Sequence, residues 1–173
     1  MKGNNIILIG FMGSGKTSVG RHLSKHLNYD FKDTDEMIVS QENTPIQDIF
    51  SLHGEAYFRD LETKLLVSVK DSLALTVLST GGGMPVRNEN RNILKNMGQV
   101  VYLRASAATI TDRLSGDKSR PLLKEGNINE KVERLLNERK TFYEEAADII
   151  IDTDRKPVEE IAKEIIKRLD GFR

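Results

Sequence analysis

An apolar run at residues 6–9 leads without a break into Gly10-Phe11-Met12-Gly13-Ser14-Gly15-Lys16-Thr17, and a segment of helical period follows at 16–27. The octapeptide satisfies G-x-x-x-x-G-K-[ST], and a strand before it with a helix after it is the context that motif demands. Its glycines let backbone N–H groups turn inward around phosphate oxygens, and the helix start adds the positive end of its dipole. Lys16 is placed to reach the β and γ phosphates, and the Thr17 hydroxyl to ligate Mg²⁺. Gly13, Ser14, Gly15 and Ser18 complete the nucleotide-binding positions of this segment. A chain that begins this way is committed to a strand whose C-terminal end holds a nucleotide, which is the plan of an open α/β sheet.

The rest of the chain agrees with that plan. Short apolar runs at 29–32, 75–79, 100–103 and 149–151 alternate with helical-period segments at 36–72, 89–96, 107–114, 128–146 and 158–169, the alternation that builds βαβ units and a parallel sheet covered on both faces. Thr44-Pro45 and His53-Gly54 interrupt the long second helical segment and mark boundaries within it. The expected architecture is one α/β domain over 1–173, with a central parallel five-stranded sheet and helices on both faces. Residues 115–127 are polar, carry two glycines and a proline, and lie between two helical segments. A connection of about a dozen residues with that composition predicts a mobile lid.

Composition narrows the partners. Twenty-six Lys and Arg balance twenty-six Asp and Glu, so neither nucleic acid nor an anionic membrane surface is the expected partner. The absence of cysteine removes disulfides, thiolate metal sites and cysteine nucleophiles together, and it suits a reducing compartment. The apolar run before Gly10 is far shorter than the roughly 18 residues of a membrane span, and Lys16 follows it where a cleavage site would stand. The expectation is a cytoplasmic monomer. His22 and His26 stand four apart on the first helix, but without a third ligand they read as solvated histidines and not as a zinc site.

A bound nucleotide does not by itself define a reaction. A hydrolase of this class expects an Asp at the end of a second core strand to hold the metal, and here that strand ends Val77-Leu78-Ser79. Another acid must serve. Asp33-Thr34-Asp35 follows the short second strand, at the sheet edge where ligands of such folds bind. One carboxylate can approach the metal while the other accepts a hydrogen bond from a substrate hydroxyl and positions it as a nucleophile. The same residues also read as an Asx turn with Asp35 capping the next helix.

The combination of Gly10-Phe11-Met12-Gly13-Ser14-Gly15-Lys16-Thr17, Asp33-Thr34-Asp35, Phe58-Arg59-x-x-Glu62, Thr80-Gly81-Gly82-Gly83, Arg120-Pro121-Leu122-Leu123 and Arg139 resembles the shikimate kinase family, in the family's order and over essentially the whole chain. The resemblance implies a three-layer P-loop kinase fold with a helical substrate-binding region at about 33–62 and a lid at about 115–127. It implies ATP and Mg²⁺ as the nucleotide and metal and shikimate as the acceptor, phosphorylated at its 3-hydroxyl on the route to chorismate. Arg59 and Arg139 become a clamp on the shikimate carboxylate, each guanidinium fork suited to pair with both oxygens. On spacing alone, Arg59 reads as a surface pair with Glu55 or Glu62 and Arg139 as a solvated helix face. Asp35 would hold the attacking hydroxyl and Asp33 would be an outer ligand of Mg²⁺. Gly81, Gly82 and Gly83 would bring backbone N–H groups to the acceptor and the transferring phosphate. Phe50 and Phe58 read either as apolar walls of the substrate site or as core. Arg120 would be swung in by the lid to neutralise charge on the transferring group. Arg113 and the loop carrying Arg155 would flank the adenine. A kinase for another small polyol acid such as gluconate, or a nucleotide-binding regulator without transfer chemistry, are the alternative readings.

Overall fold

Five parallel strands occur in the order β2-β3-β1-β4-β5. The computed structural model describes residues 3–114 and 127–170, so the expected lid at 115–127, with Arg120, lies outside the described residues except for Asn127. The strands are β1 (Asn5–Ile9), β2 (Asp30–Asp33), β3 (Thr76–Ser79), β4 (Gly98–Arg104) and β5 (Ile149–Asp152). The helices are α1 (Lys16–Leu27), α2 (Thr34–Glu42), α3 (Ile46–Val69), α4 (Asn88–Met97), α5 (Ala107–Leu114), α6 (Ile128–Ala146) and α7 (Val158–Asp170), with a 3₁₀ turn at Met84–Val86. Leu75, expected to open the third strand, instead has a φ of 48°, and pairing begins at Thr76.

Alternation along β1 explains the three layers. Ile7 and Ile9 point to one face and pack with Leu65 and Leu66 of α3, Leu94 of α4 and Val132 of α6. Ile6 and Leu8 point to the other face and pack with Val19 and Leu23 of α1 and with Ile161 and Ile165 of α7. All of β1 is buried, as a central parallel strand must be when both faces carry helices. Full burial of a side chain of this size contributes about 1.5–3 kcal/mol, so this strand and the loop that follows it are held on both sides.

The boundaries inside the second helical segment fall where the sequence places them. Asn43 closes α2 in a left-handed conformation and Pro45 caps α3. Gly54, at φ 80° and ψ 175°, interrupts the helical geometry of α3, so the half that carries Phe58, Arg59 and Glu62 leaves the kink in a new direction. Asp33, not Asp35, is the cap of α2: its Oδ1 accepts from the N–H groups of Asp35 and Glu36, at 3.0 and 3.5 Å. The cap belongs to the residue just before the helix, whose extended backbone turns its carboxylate onto the free amides.

Candidate active site

The C-terminal ends of β1, β2 and β3 and the start of α1 line a cleft of about 420 Å³, and Gly13, Lys16, Thr17, Asp33, Asp35 and Arg113 all contribute to it. Gly13 and Gly15 have φ of 78° and 98°, values that L side chains avoid, and Gly15 is the residue from which α1 departs. The positive φ values turn the loop so that the amides at the start of the helix face the cleft, an anion site made of backbone. Lys16 is largely buried, and its Nζ donates to the carbonyls of Gly10 at 2.8 Å and Phe11 at 2.9 Å, which folds the ammonium across the mouth of the loop. Ser14 and Ser18 border the same cleft. Arg113 donates to the carbonyl of Gly13 at 3.0 Å, tying the end of α5 to the loop. Arg155 stands in a left-handed turn and is not among the lining residues; its neighbours Lys156 and Val158 are.

The register of the sheet accounts for the missing strand-end carboxylate. Ser79 ends β3 and aligns with Asp33 at the end of the neighbouring β2, so the acid that β3 lacks stands one strand over. Thr17 donates to Asp33 Oδ2 at 3.2 Å. A hydroxyl and a carboxylate side by side next to a phosphate loop form a hard-oxygen donor pair, which fits Mg²⁺ better than softer metals because that ion takes one or two protein ligands and keeps phosphate and water for the rest. Among the described residues no group of three His, Cys, Asp or Glu side chains could hold a metal by themselves.

On the far side of Asp35 lies a buried cluster of charge. Arg59 is 9% exposed and Arg139 is 5% exposed. Arg59 donates to Glu62 Oε2 at 2.7 Å and to Glu55 Oε1 at 2.9 Å; both helix-spaced pairs therefore form, the one with Glu62 buried and the one with Glu55 at the edge of the surface. Burial alone would lower the pKa of Arg59, but the two carboxylates outweigh it and the net shift is upward. Arg139 is no solvated helix residue: its guanidinium stands 5.7 Å from the centre of the Phe11 ring, and its Nη1 has no hydrogen-bond partner. A buried, unsatisfied cationic donor costs about 1–3 kcal/mol or more, which is tolerable where an anionic ligand is to supply the missing acceptor.

Residues 81–83 bring the two halves together. The N–H of Gly81 donates to Thr34 Oγ1 at 2.8 Å, and the carbonyl of Gly82 accepts from the Tyr143 hydroxyl at 2.6 Å. A Cβ added at Gly81 would lie 2.7 Å from Asp35 Oδ1 and 2.8 Å from Glu62 Oε1, and one added at Gly83 would meet the Arg59 guanidinium. The absence of side chains here is therefore filled by functional groups. Phe58 is core, and half-buried Phe50 packs on it with ring centres 4.9 Å apart.

Three residues of this cluster escaped the sequence reading. Thr34 is hidden between the two aspartates that drew attention. Glu62 registered as a motif residue and a partner for Arg59, with no role of its own. Tyr143 lies four residues after Arg139, and that shared-face spacing was the one signal it offered.

Comparison with known proteins agrees with the geometry. The shikimate kinase family profile matches residues 12–170. The chain is 44% identical over 165 residues to shikimate kinase from Sulfurihydrogenibium sp., covering 95% of this chain and 97% of that one. It superposes on shikimate kinase from Acinetobacter baumannii, solved in complex with shikimate, with a TM-score of 0.95 at 37% identity, covering 99% and 95% of the two chains. A gluconokinase from Sinorhizobium meliloti aligns with a TM-score of 0.59 at 17% identity over 98% of this chain and 93% of that one, a likeness of fold alone. With a strand-loop-helix phosphate cradle at one end of the cleft, two buried arginines beyond Asp35, and a family match spanning nearly every residue, the chain belongs to the shikimate kinase family, the ATP-dependent kinases that transfer phosphate to shikimate.

Proposed function

We propose that this chain moves the γ-phosphoryl group of ATP to the 3-hydroxyl of shikimate, with Arg59 and Arg139 gripping the carboxylate and Asp35 holding the hydroxyl. The observation that carries the reading is the pair of buried guanidinium groups beside residues 81–83, one of them with a donor left over. A cyclohexene carboxylate with three hydroxyls needs cations at one end and acceptors at the other, and the cluster offers both. Asp35 accepts the hydroxyl proton as the substrate oxygen bonds to the γ phosphorus and the bond from that phosphorus to the β,γ-bridging oxygen breaks, releasing ADP. Lys16 exchanges its two carbonyl acceptors for phosphate oxygens when the nucleotide enters. Thr17 and Asp33 would hold Mg²⁺, which neutralises charge on the β and γ phosphates when bound. From sequence we assign Arg120 to the same neutralisation from the lid side, and Arg113 with the 152–157 loop, including Arg155, to the adenine.

The proposal includes a monomer acting in the cytoplasm; no described helix is long and apolar enough to cross a membrane. The test is ADP release with shikimate, gluconate and AMP offered separately in the presence of Mg²⁺. Turnover with shikimate alone is the expected result. Turnover only with gluconate or AMP would reassign the acceptor, and none with any acceptor would leave a nucleotide-binding regulator.

A further inference from the structure

Glu62 is a fully enclosed carboxylate, with 0% of its side chain exposed. One oxygen, Oε2, accepts from Arg59; the other, Oε1, has no hydrogen-bond partner. Oε1 and Asp35 Oδ1 converge on the same point above Gly81, at 2.8 and 2.7 Å. Among the described residues, the charged groups that face Glu62 are Arg59 on its own helix, Asp35 on α2 and Arg139 on α6, with Glu55 on the outer side of Arg59; the loop at residues 81–83 adds only backbone. Two guanidinium charges thus already answer Asp35, Glu62 and half-exposed Glu55. Burial, with Asp35 adding to it, pushes Glu62 up to about 7 against the pull of Arg59 and Arg139. An incoming carboxylate competes for the same two buried cations, and like charges gathered away from water cannot all stay ionised.

We propose that shikimate binding between Arg59 and Arg139 drives a proton onto Glu62, so that the protein takes up a proton from solvent as the acid binds. The proton goes to Oε1, the oxygen without a partner, and its arrival removes one negative charge from beside Asp35. Asp35 remains the acceptor for the hydroxyl proton in the later step. Arg59 keeps a neutral oxygen acceptor on one side and turns its charge to the substrate. The inference rests on the clamp proposed above and deepens it by assigning Glu62 the role of a positioning residue whose protonation accompanies binding.

Isothermal titration of the wild-type chain with shikimate at pH 7.5, in HEPES and in Tris, measures the protons exchanged. A second carboxylate near Glu62 raises its pKa by about a unit or more, so the expected uptake is roughly half a proton per shikimate bound. Affinity then weakens about five- to tenfold between pH 6 and 8. Glu62→Gln should abolish the uptake and flatten that pH dependence, even with weaker binding throughout. If the variant does not fold, the infrared difference spectrum of the wild type should show a new protonated-carboxyl band when shikimate binds. Heats independent of buffer, proton release, a missing carboxyl band, or uptake that persists in Glu62→Gln would each overturn the inference while leaving shikimate binding intact. No binding of shikimate at all would overturn the clamp, and this inference with it.

Discussion

Gly83→Ala separates the working of the clamp from nucleotide binding. Gly83 has φ −95° and ψ −6°, a conformation alanine adopts without strain, so the backbone does not oppose the change. The added methyl meets the guanidinium carbon and both terminal nitrogens of Arg59, and that group must retreat by roughly 1 Å to reach ordinary contact. The end of a flexible side chain can do so, and the fold survives. The retreat, however, takes the guanidinium off its ties of 2.7 Å to Glu62 and 2.9 Å to Glu55, and off the line it must hold toward a substrate carboxylate. Charge-assisted hydrogen bonds of this kind contribute about 1.5–3 kcal/mol. Loss of alignment should therefore raise the Kd for shikimate about ten- to 150-fold. Thermal unfolding should fall by about 3–12 °C, the 1.5–3 kcal/mol of a lost charged tie taken at about 2–4 °C per kcal/mol in a chain of this size. Calorimetric titration with each ligand, with kcat and KM from ADP release, gives the comparison. ATP affinity should stay within about twofold of wild type, since Arg59 does not line the phosphate cleft. A folded Gly83→Ala protein with unchanged shikimate affinity, or with equal losses for both ligands, would refute the reasoning.

Arg139→Ala removes the buried guanidinium whose Nη1 has no acceptor, so shikimate binding should weaken about ten- to 150-fold while nucleotide titrations stay near wild type. Asp35→Asn keeps the shape of the site and removes the proton acceptor; kcat should fall by about 10² or more, with ATP binding measured by titration little changed. Tyr143→Phe deletes the 2.6 Å bond to the Gly82 carbonyl and should lower unfolding free energy by about 1–3 kcal/mol in urea, with the KM values for shikimate and ATP both rising, since Gly82 also borders the phosphate cleft.

The legible part of the site is the part that is contiguous in the chain. Residues 10–17 carry their own glycines, lysine and hydroxyl, and the left-handed geometry of Gly13 and Gly15 is what their identity anticipates. The kink at Gly54 and the break at Pro45 were likewise announced locally. Asp33 and Asp35 were visible as a pair, but which of them capped α2 was decided by where the strand stopped and the helix began, a matter of one or two residues that composition does not resolve. Phe58 could have been wall or core, and burial made it core. Arg59 and Arg139 posed the hardest question. Helical spacing offers an arginine partners on its own helix equally well whether that face meets water or another element.

What the sequence by itself determined was the phosphate cradle, the α/β alternation and the family likeness, because each is written in neighbouring residues or in the order of motifs along the chain. What only the tertiary structure decided was the charge balance of the acceptor site. Helices α2, α3 and α6 and residues 81–83 bring Asp35, Glu62, Arg59 and Arg139 within reach of one another, the last three buried. There the loss of water changes the energy of a carboxylate by more than any neighbour in the chain could. Desolvation belongs to a folded interior, and no reading of residues in a line contains it.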